Sequence, residues 1–296
     1  MAKQSVLKRY FLILEKIQND KKANFKALQK YLEVFDMRVS PRTLQRDIEQ
    51  MRNEFGIEIT YHRDQDFYFV DEDRSYTLKG FMAFIEMSLT SELIQESISN
   101  QKFLLEKIKF EPIHFLKGYQ NLKVLINAIA QMRWVQFMYQ NFTSNKNNSF
   151  KVMPGFLKRH ENRWYLIAKV GKKYFTFGID RIENLKILTE KFEQKDIEYP
   201  TELDSIVGLN YSKGKTERIV IQADVIQAKY LKALPLHSTQ KVTHEHSSET
   251  IFEIHVIPNL ELTQSILRLG NQVKLIEPAW LVEEVKEILK KSLSRY

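Results

Sequence analysis

An α+β fold is predicted by three observations. Three helical stripes followed by two β-prone runs fill the first 70 residues, the order of a winged helix-turn-helix head. At Trp134 the apolar period changes from helical to alternating, which marks the start of a small β-barrel or curled sheet. From Glu217 the pattern runs strand, helix, strand, strand, helix, strand, with a closing helix. That is the ferredoxin-like split βαβ order.

In the head, Val6, Tyr10, Ile13, Leu14 and Ile17 form the first stripe. Asn24 is placed to cap a second helix burying Phe25, Leu28, Leu32 and Phe35. Ser40 is a good N-cap and Pro41 suits the first position of a third helix. Leu44, Ile48, Met51 and Phe55 give that helix its apolar stripe, and Gly56 suits a left-handed end. Arg42, Arg46, Glu49 and Asn53 point the other way, with Gln45 beside them. Arg and Gln near the start of an exposed helix are side chains that read base edges in a major groove. An ordinary amphipathic surface helix is the competing reading. The runs 57–61 and 66–70 form a hairpin with the tip His62-Arg63-Asp64-Gln65. Arg63 then reaches a phosphate or the minor groove, or is a solvated loop residue.

Residues 77–132 read as helical, punctuated by Gly80 and Pro112. Such a segment holds two copies together or acts as a spacer; pseudo-palindromic operators reward the first arrangement. Beyond Trp134 come strands at 150–153, 163–170, 173–177 and 185–188, with a polar turn at 141–148 and a stop at Pro154-Gly155. Residues 192–215, with Pro200, Gly208 and Gly214, read as linker.

Composition narrows the function. The 296 residues carry a net charge of +8, 43% hydrophobic and 12% aromatic residues, and no cysteine. A folded chain is expected, and disulfides, thiolate zinc sites and cysteine nucleophiles are excluded. No run approaches the roughly 18 apolar residues of a membrane span, and no cleavable leader pattern is present. The expected location is cytoplasmic, associated with the nucleoid. Lys146–Lys173 holds eight basic residues against Glu161 alone, a balance of +7, whereas residues 1–70 balance at +3. The strongest basic cluster therefore lies outside the proposed reading helix.

Arg163-Trp164-Tyr165-Leu166 resembles the motif that names the WYL-domain transcriptional regulators. Tyr139, the Val152-Met153-Pro154 strand with Leu157, and Asp180-Arg181-Ile182 follow the family order. Ser40, Arg42-Thr43-Leu44, Arg46-Asp47-Ile48 and Gly56-Ile57 resemble its winged-helix pattern, and the last module resembles the extension many members carry. The resemblance implies a homodimeric regulator whose WYL domain, an Sm-like β-barrel, senses an effector; nucleotides or single-stranded nucleic acid have been associated with some members. Many members have a polar residue where this chain has Met153, and an arginine where it has Gly178. Both departures bear on ligand choice, so the site class is carried over and not a ligand.

The chain is accordingly divided into a winged helix-turn-helix (1–72), a helical linker or dimerisation segment (73–132), a WYL effector-sensing domain (133–195), a linker (196–215) and a ferredoxin-like extension (216–296). The expected function is a sequence-specific DNA-binding regulator, with repression the expected sign. Ser40, Arg42, Thr43, Gln45, Arg46 and Arg63 are the candidate DNA contacts. Tyr139, Lys151, Lys158, Arg159, His160, Tyr165 and Arg181 are the candidate effector contacts, because basic groups interleaved with aromatics combine phosphate pairing with stacking. Lys158, Arg159 and His160 are expected on the turn before the Trp-Tyr-Leu strand. Trp164 and Tyr165 alternate, so one faces the core, and Trp164 is assigned there. For Arg181 the competing reading is a structural ion pair with Asp180. The expected partners are an operator duplex, an anionic effector and a second copy; no cofactor, metal or enzymatic activity is expected. An RNA- or single-strand-binding scaffold is the alternative. A metal enzyme has only His244 and His246 on one strand face, with His237 or His255 to supply a third ligand.

Overall fold

The computed structural model describes residues 2–20, 23–75, 77–101, 103–109, 118–141, 146–161, 163–210 and 214–296. The chain forms two compact units, Met1–Glu111 and Pro112–Tyr296. Among the described residues no helix is long and apolar enough to cross a membrane.

In the first unit α1 (Ala2–Asn19), α2 (Phe25–Val34) and α3 (Pro41–Phe55) precede an antiparallel hairpin of β1 (Ile59–His62) and β2 (Phe67–Val70). Asn24 accepts from the Ala27 N–H at 2.9 Å and Ser40 from the Thr43 N–H at 3.2 Å, so side chains satisfy the first turns of α2 and α3. Gly56 ends α3 in the left-handed region, φ 63°. The stripes of all three helices bury a common core of Ile13, Leu14, Leu28, Leu32, Leu44 and Met51. Asp47 of α3 joins that core at 0% exposure. A carboxylate is tolerated there because Arg9 of α1 grips both of its oxygens, with Nη2 at 2.9 Å from Oδ1. The same bond holds the Arg9 guanidinium above its ordinary pKa.

The segment read as one helical connection is divided between the units. The helix α4 (Leu78–Asn100) buries Leu78, Phe81 and Ile85 in the head core. After the short α5 (Leu104–Lys107), α6 (Tyr119–Ala130) packs Leu125 and Ala128 onto the sheet of the second unit. Pro112 lies outside the described residues.

That sheet is antiparallel, in the order β6-β5-β4-β3-β7, built from β3 (Arg133–Asn141), β4 (Lys146–His160), β5 (Arg163–Val170), β6 (Lys173–Gly178) and β7 (Ile182–Lys191). It corrects the expected Sm-like β-barrel: the sheet is open, with β6 and β7 as its edges. Closure would need β6 to bond β7. Instead a 3-10 turn, Ile179–Arg181, joins them, and the Gly178 N–H is taken by the Tyr139 hydroxyl at 3.1 Å. Pro154-Gly155 does not stop a strand either. The register of β4 against β5 shifts between Pro154 and Phe156, and β4 runs through as a bulge. Its first half pairs β3 and its second half β5. Lys158, Arg159 and His160 therefore sit in β4 and not on a turn. The expected polar turn at 141–148 falls partly outside the described residues; Asn147 and Asn148 belong to β4.

The stretch read as linker is packed. Ile197, Leu203, Ile206, Val207 and Leu209 are buried. Glu261 accepts from the Leu209 and Asn210 N–H groups at 2.6 and 2.5 Å. Gly208 sits at φ +79° beneath that carboxylate, where a Cβ would lie 2.4 Å from it. His237 Nε2 reaches the Asp204 carbonyl at 2.9 Å, and Nδ1 meets Thr239 at 2.9 Å. The strap thus joins the five-stranded sheet to the last module. There β8 (Glu217–Asp224), α7 (Val225–Ala233), β9 (Lys241–Glu245), β10 (Glu249–Val256), α8 (Leu260–Arg268), β11 (Val273–Glu277) and α9 (Ala279–Leu293) follow in sequence. The antiparallel sheet is ordered β11-β8-β10-β9, with Ile219, Ile221, Ile254 and Val256 buried beneath helical residues.

Two outcomes follow from these contacts. Asp47→Ala leaves the Arg9 charge without its partner at a site where its side chain is 11% exposed; the head is expected to lose about 3–5 kcal/mol in denaturant unfolding. A loss under about 1 kcal/mol would contradict the pairing. Burial, with Lys158 nearby, holds His237 below the ordinary histidine pKa. In the window below that ordinary value the unfolded chain takes up a proton that the folded chain does not. His237 therefore costs stability progressively as pH falls from the ordinary range toward the folded value, and costs nothing above it. The thermal midpoint of His237→Gln should fall less steeply than wild type between about pH 7 and 5.5.

Candidate functional site

The head presents the outer face of α3. Arg42, Gln45, Arg46, Glu49 and Asn53 are all exposed, while Leu44, Asp47, Ile48 and Met51 are buried. Ser40 and Thr43 are engaged at the cap, their oxygens 3.0 Å apart. Arg63 is exposed between β1 and β2. Its surroundings are acidic: residues 58–74 hold six acids against Arg63 and Arg74. Asp66 accepts from the Tyr61 hydroxyl at 2.7 Å and from Asn24 at 3.1 Å.

The second unit divides the expected effector set among several places. In an antiparallel pair, opposed residues share a face. Lys158 lies opposite Tyr165, and Arg159 opposite Trp164. Trp164 packs with Leu166 on the core side, so Tyr165 faces the other way. Tyr139 is 8% exposed among Phe137, Phe150 and Phe177, with ring centroids 5.0 Å apart in the Tyr139–Phe177 pair. It supports the site from below: the Arg181 guanidinium lies over its ring at 4.8 Å. Burial pushes the Tyr139 hydroxyl pKa up, against the opposing pull of the Gly178 N–H and Arg181. Lys151 is committed elsewhere, to Glu190 at 2.6 Å and to the Trp134 ring at 5.4 Å. Asp180 pairs with Arg163 at 3.9 Å.

Tyr165 and Arg181 meet in a cleft of about 1250 Å³, which Lys172, Lys173 and Tyr174 also line. Glu198 and Tyr199 of the strap and Glu261 and Gln264 of α8 form further parts of the wall. Sequence reasoning counted Lys172 and Lys173 in the basic run but assigned them no role. The strap and α8 residues carry no local signal, because only the tertiary fold brings them to the sheet. His160 is not in this cleft. It lines a second one, of about 500 Å³, with Val207 and Gly208 of the strap, Leu234–Leu236 beyond the end of α7, and residues of α8.

Gly178 accounts for one departure from the family pattern. A Cβ there would lie 2.8 Å from Asp180 Oδ1 and 3.1 Å from Arg181 Nε. Any larger residue displaces both side chains. Among the described residues no group of three or more His, Cys, Asp or Glu side chains is placed to hold a metal. Of the possible third ligands, His255 bonds Glu253 at 2.7 Å and His237 is engaged as above.

These features coincide with two family matches. The WYL domain model matches residues 120–187 and the WCX domain model residues 215–293. The chain is a WYL-domain-containing protein. No curated protein sequence matches it. Two solved structures are similar to it. One is proteasome accessory factor B/C (PafBC) of Arthrobacter aurescens, 15% identical with a TM-score of 0.30, over 94% of this chain and 45% of that one. The other is a CRISPR Cas-related protein, 12% identical with a TM-score of 0.42, over 99% of this chain and 84% of that one. The chain spans less than half the length of PafBC.

The Tyr139 support is testable by removing one atom. Tyr139→Phe leaves the buried Gly178 N–H without its acceptor and is expected to cost about 1–3 kcal/mol in denaturant unfolding. Gly178→Ala should cost less, because flexible side chains give way, but should move Arg181 off the Tyr139 ring in a crystal structure of the variant.

Proposed function

We propose that this chain is a non-enzymatic transcriptional regulator that binds a specific duplex through α3 and responds to an anionic effector held in the 1250 Å³ cleft. The carrying observation is the division of α3. Its buried face is locked into the head by Asp47, Leu44 and Met51, and its exposed first turns offer Arg42, Gln45 and Arg46. A rigid helix with free Arg and Gln near a capped N-terminus suits direct readout in a major groove. Ser40 and Thr43 suit phosphate contacts beside it. The acids around Arg63 make its contact with DNA the weakest of the proposed set.

In the second unit, Lys172, Lys173 and Arg181 provide cations, and Tyr165 a stacking surface, for a nucleotide or short single strand. Lys158 lies on the Tyr165 face of β4 and Arg159 on the opposite one, and neither lines the cleft, so both are assigned a secondary role. Regulation then follows from linkage. An effector alters duplex affinity only through unequal affinity for two states of the protein, and the duplex alters effector affinity by the same factor. A homodimer would match a two-fold operator.

Arg42→Ala and Arg46→Ala are each expected to weaken binding to the duplex upstream of the protein's own gene in a mobility shift. The expected loss is about 1–3 kcal/mol where the contact is bidentate to a base. Unchanged affinity in both variants would remove α3 as the reader. Lys172→Ala with Lys173→Ala should leave that shift intact and lower affinity for a short single-stranded oligonucleotide or nucleotide. Tight single-strand binding with no duplex shift would favour a single-strand-binding scaffold instead.

A further inference from the structure

The polar side chains of α3 divide into those tied to the rest of the head and those left free. Asp47 is held by Arg9, and Gln50 accepts from the Tyr10 hydroxyl at 2.8 Å. Arg52 donates to the Ile59 carbonyl at 2.7 Å and pairs with Glu58 at 3.0 Å. Arg42, Arg46, Glu49 and Asn53 are exposed. With about 100° of turn per residue, these four lie within about 60° of one another around the helix axis. Buried Leu44 and Met51 lie on the opposite side.

Glu49 is the acid of this outer stripe. It enters no hydrogen bond or ion pair among the described residues. A carboxylate on a surface helix is commonly matched by a cation three or four residues away. Arg52 stands at that spacing and is bound to Glu58 instead. Glu49 therefore presents a full negative charge in the middle of the face that would meet a duplex.

Facing phosphates, that charge is repelled. Facing base edges, it has one good match. The cytosine N4 amino group is a donor that a carboxylate accepts from. Guanine and thymine present acceptor atoms there, and adenine sets the N7 acceptor beside its N6 donor. From Arg42 to Glu49 the helix rises by about 10 Å, about three base-pair steps, so the two residues meet different pairs.

We propose that Glu49 imposes cytosine at one position of the duplex site. It accepts from the N4 amino group of that base and repels the acceptors of the other three. Discrimination there comes from a penalty on wrong sequences as much as from the contact with the right one. This role rests on the assignment of α3 as the reader of a duplex.

Selection from a random-sequence duplex library with the full chain tests it, followed by mobility shifts at one salt concentration on every single-base variant of the selected site. The wild type should select a site with one cytosine whose replacement weakens binding at least about fivefold, a preference that Glu49→Ala loses. Glu49→Gln should move the preference at that position to adenine, because an amide pairs with N6 and N7 together. Arg42→Ala should relax a different position. Glu49 is exposed and unpaired, so folding is not at stake. If both Glu49 variants discriminate at every position as the wild type does, the role of Glu49 is overturned and α3 remains the reader. If the wild type selects no site, or Arg42→Ala and Arg46→Ala leave its site unchanged, the assignment of α3 fails and the role of Glu49 with it.

Discussion

The bond from the Gly178 N–H to the Tyr139 hydroxyl is the constraint around which the second unit is arranged. It turns the N–H of the last residue of β6 to the Tyr139 hydroxyl, at the point where the 3-10 turn leads away to β7, which bonds β3. It holds the 3-10 turn against the core, and α6 seats there through Gly118, whose missing Cβ would lie 2.7 Å from the Ile179 carbonyl. It also sets the height of the tyrosine ring that carries Arg181. An open edge leaves the strap and α8 free to wall the cleft.

The head depends on a comparable bond. Asp47 is a charged residue on the apolar stripe of α3, and a lone carboxylate there would be costly. Paired with Arg9, it fixes α3 against α1 by directional contacts as well as by packing. A helix that reads base edges must hold its rotation about its own axis, because a small rotation moves every contacting side chain. Leu44, Ile48 and Met51 supply apolar burial, and the Arg9–Asp47 pair adds a directional contact between α1 and α3.

Much of this was legible in the sequence, for local reasons. Helical spacing, the Ser40 cap and Gly56 locate α3 because they act within a few residues. Alternation around Trp164 and Tyr165 assigns their faces correctly because a strand inverts side chains at every step. The departures arise where distant segments decide. Pro154-Gly155 reads as a stop, yet a bulge absorbs it once β5 pairs on both sides. Residues 196–215 read as linker because their apolar residues follow no period; Leu203 and Ile206 are buried against Ile167 and Ile257, and Asn259 and Glu261 bond the backbone of Val207 and Leu209. Tyr139 looked like a ligand contact from its neighbours in the pattern, and the aromatic cluster places it beneath the site. Barrel closure is a relation between β6 and β7 that no strand pattern encodes.

The central claim is that one chain both reads a duplex and changes its affinity when an anion binds. The most direct measurement is the affinity for the duplex upstream of its own gene, against a scrambled duplex at the same salt, with and without a saturating short single-stranded oligonucleotide or nucleotide. The account predicts preference for the upstream sequence and a change in its affinity of about 5- to 150-fold on effector binding. Equal affinity for both duplexes, or an affinity for the upstream duplex that no anion alters, would contradict it.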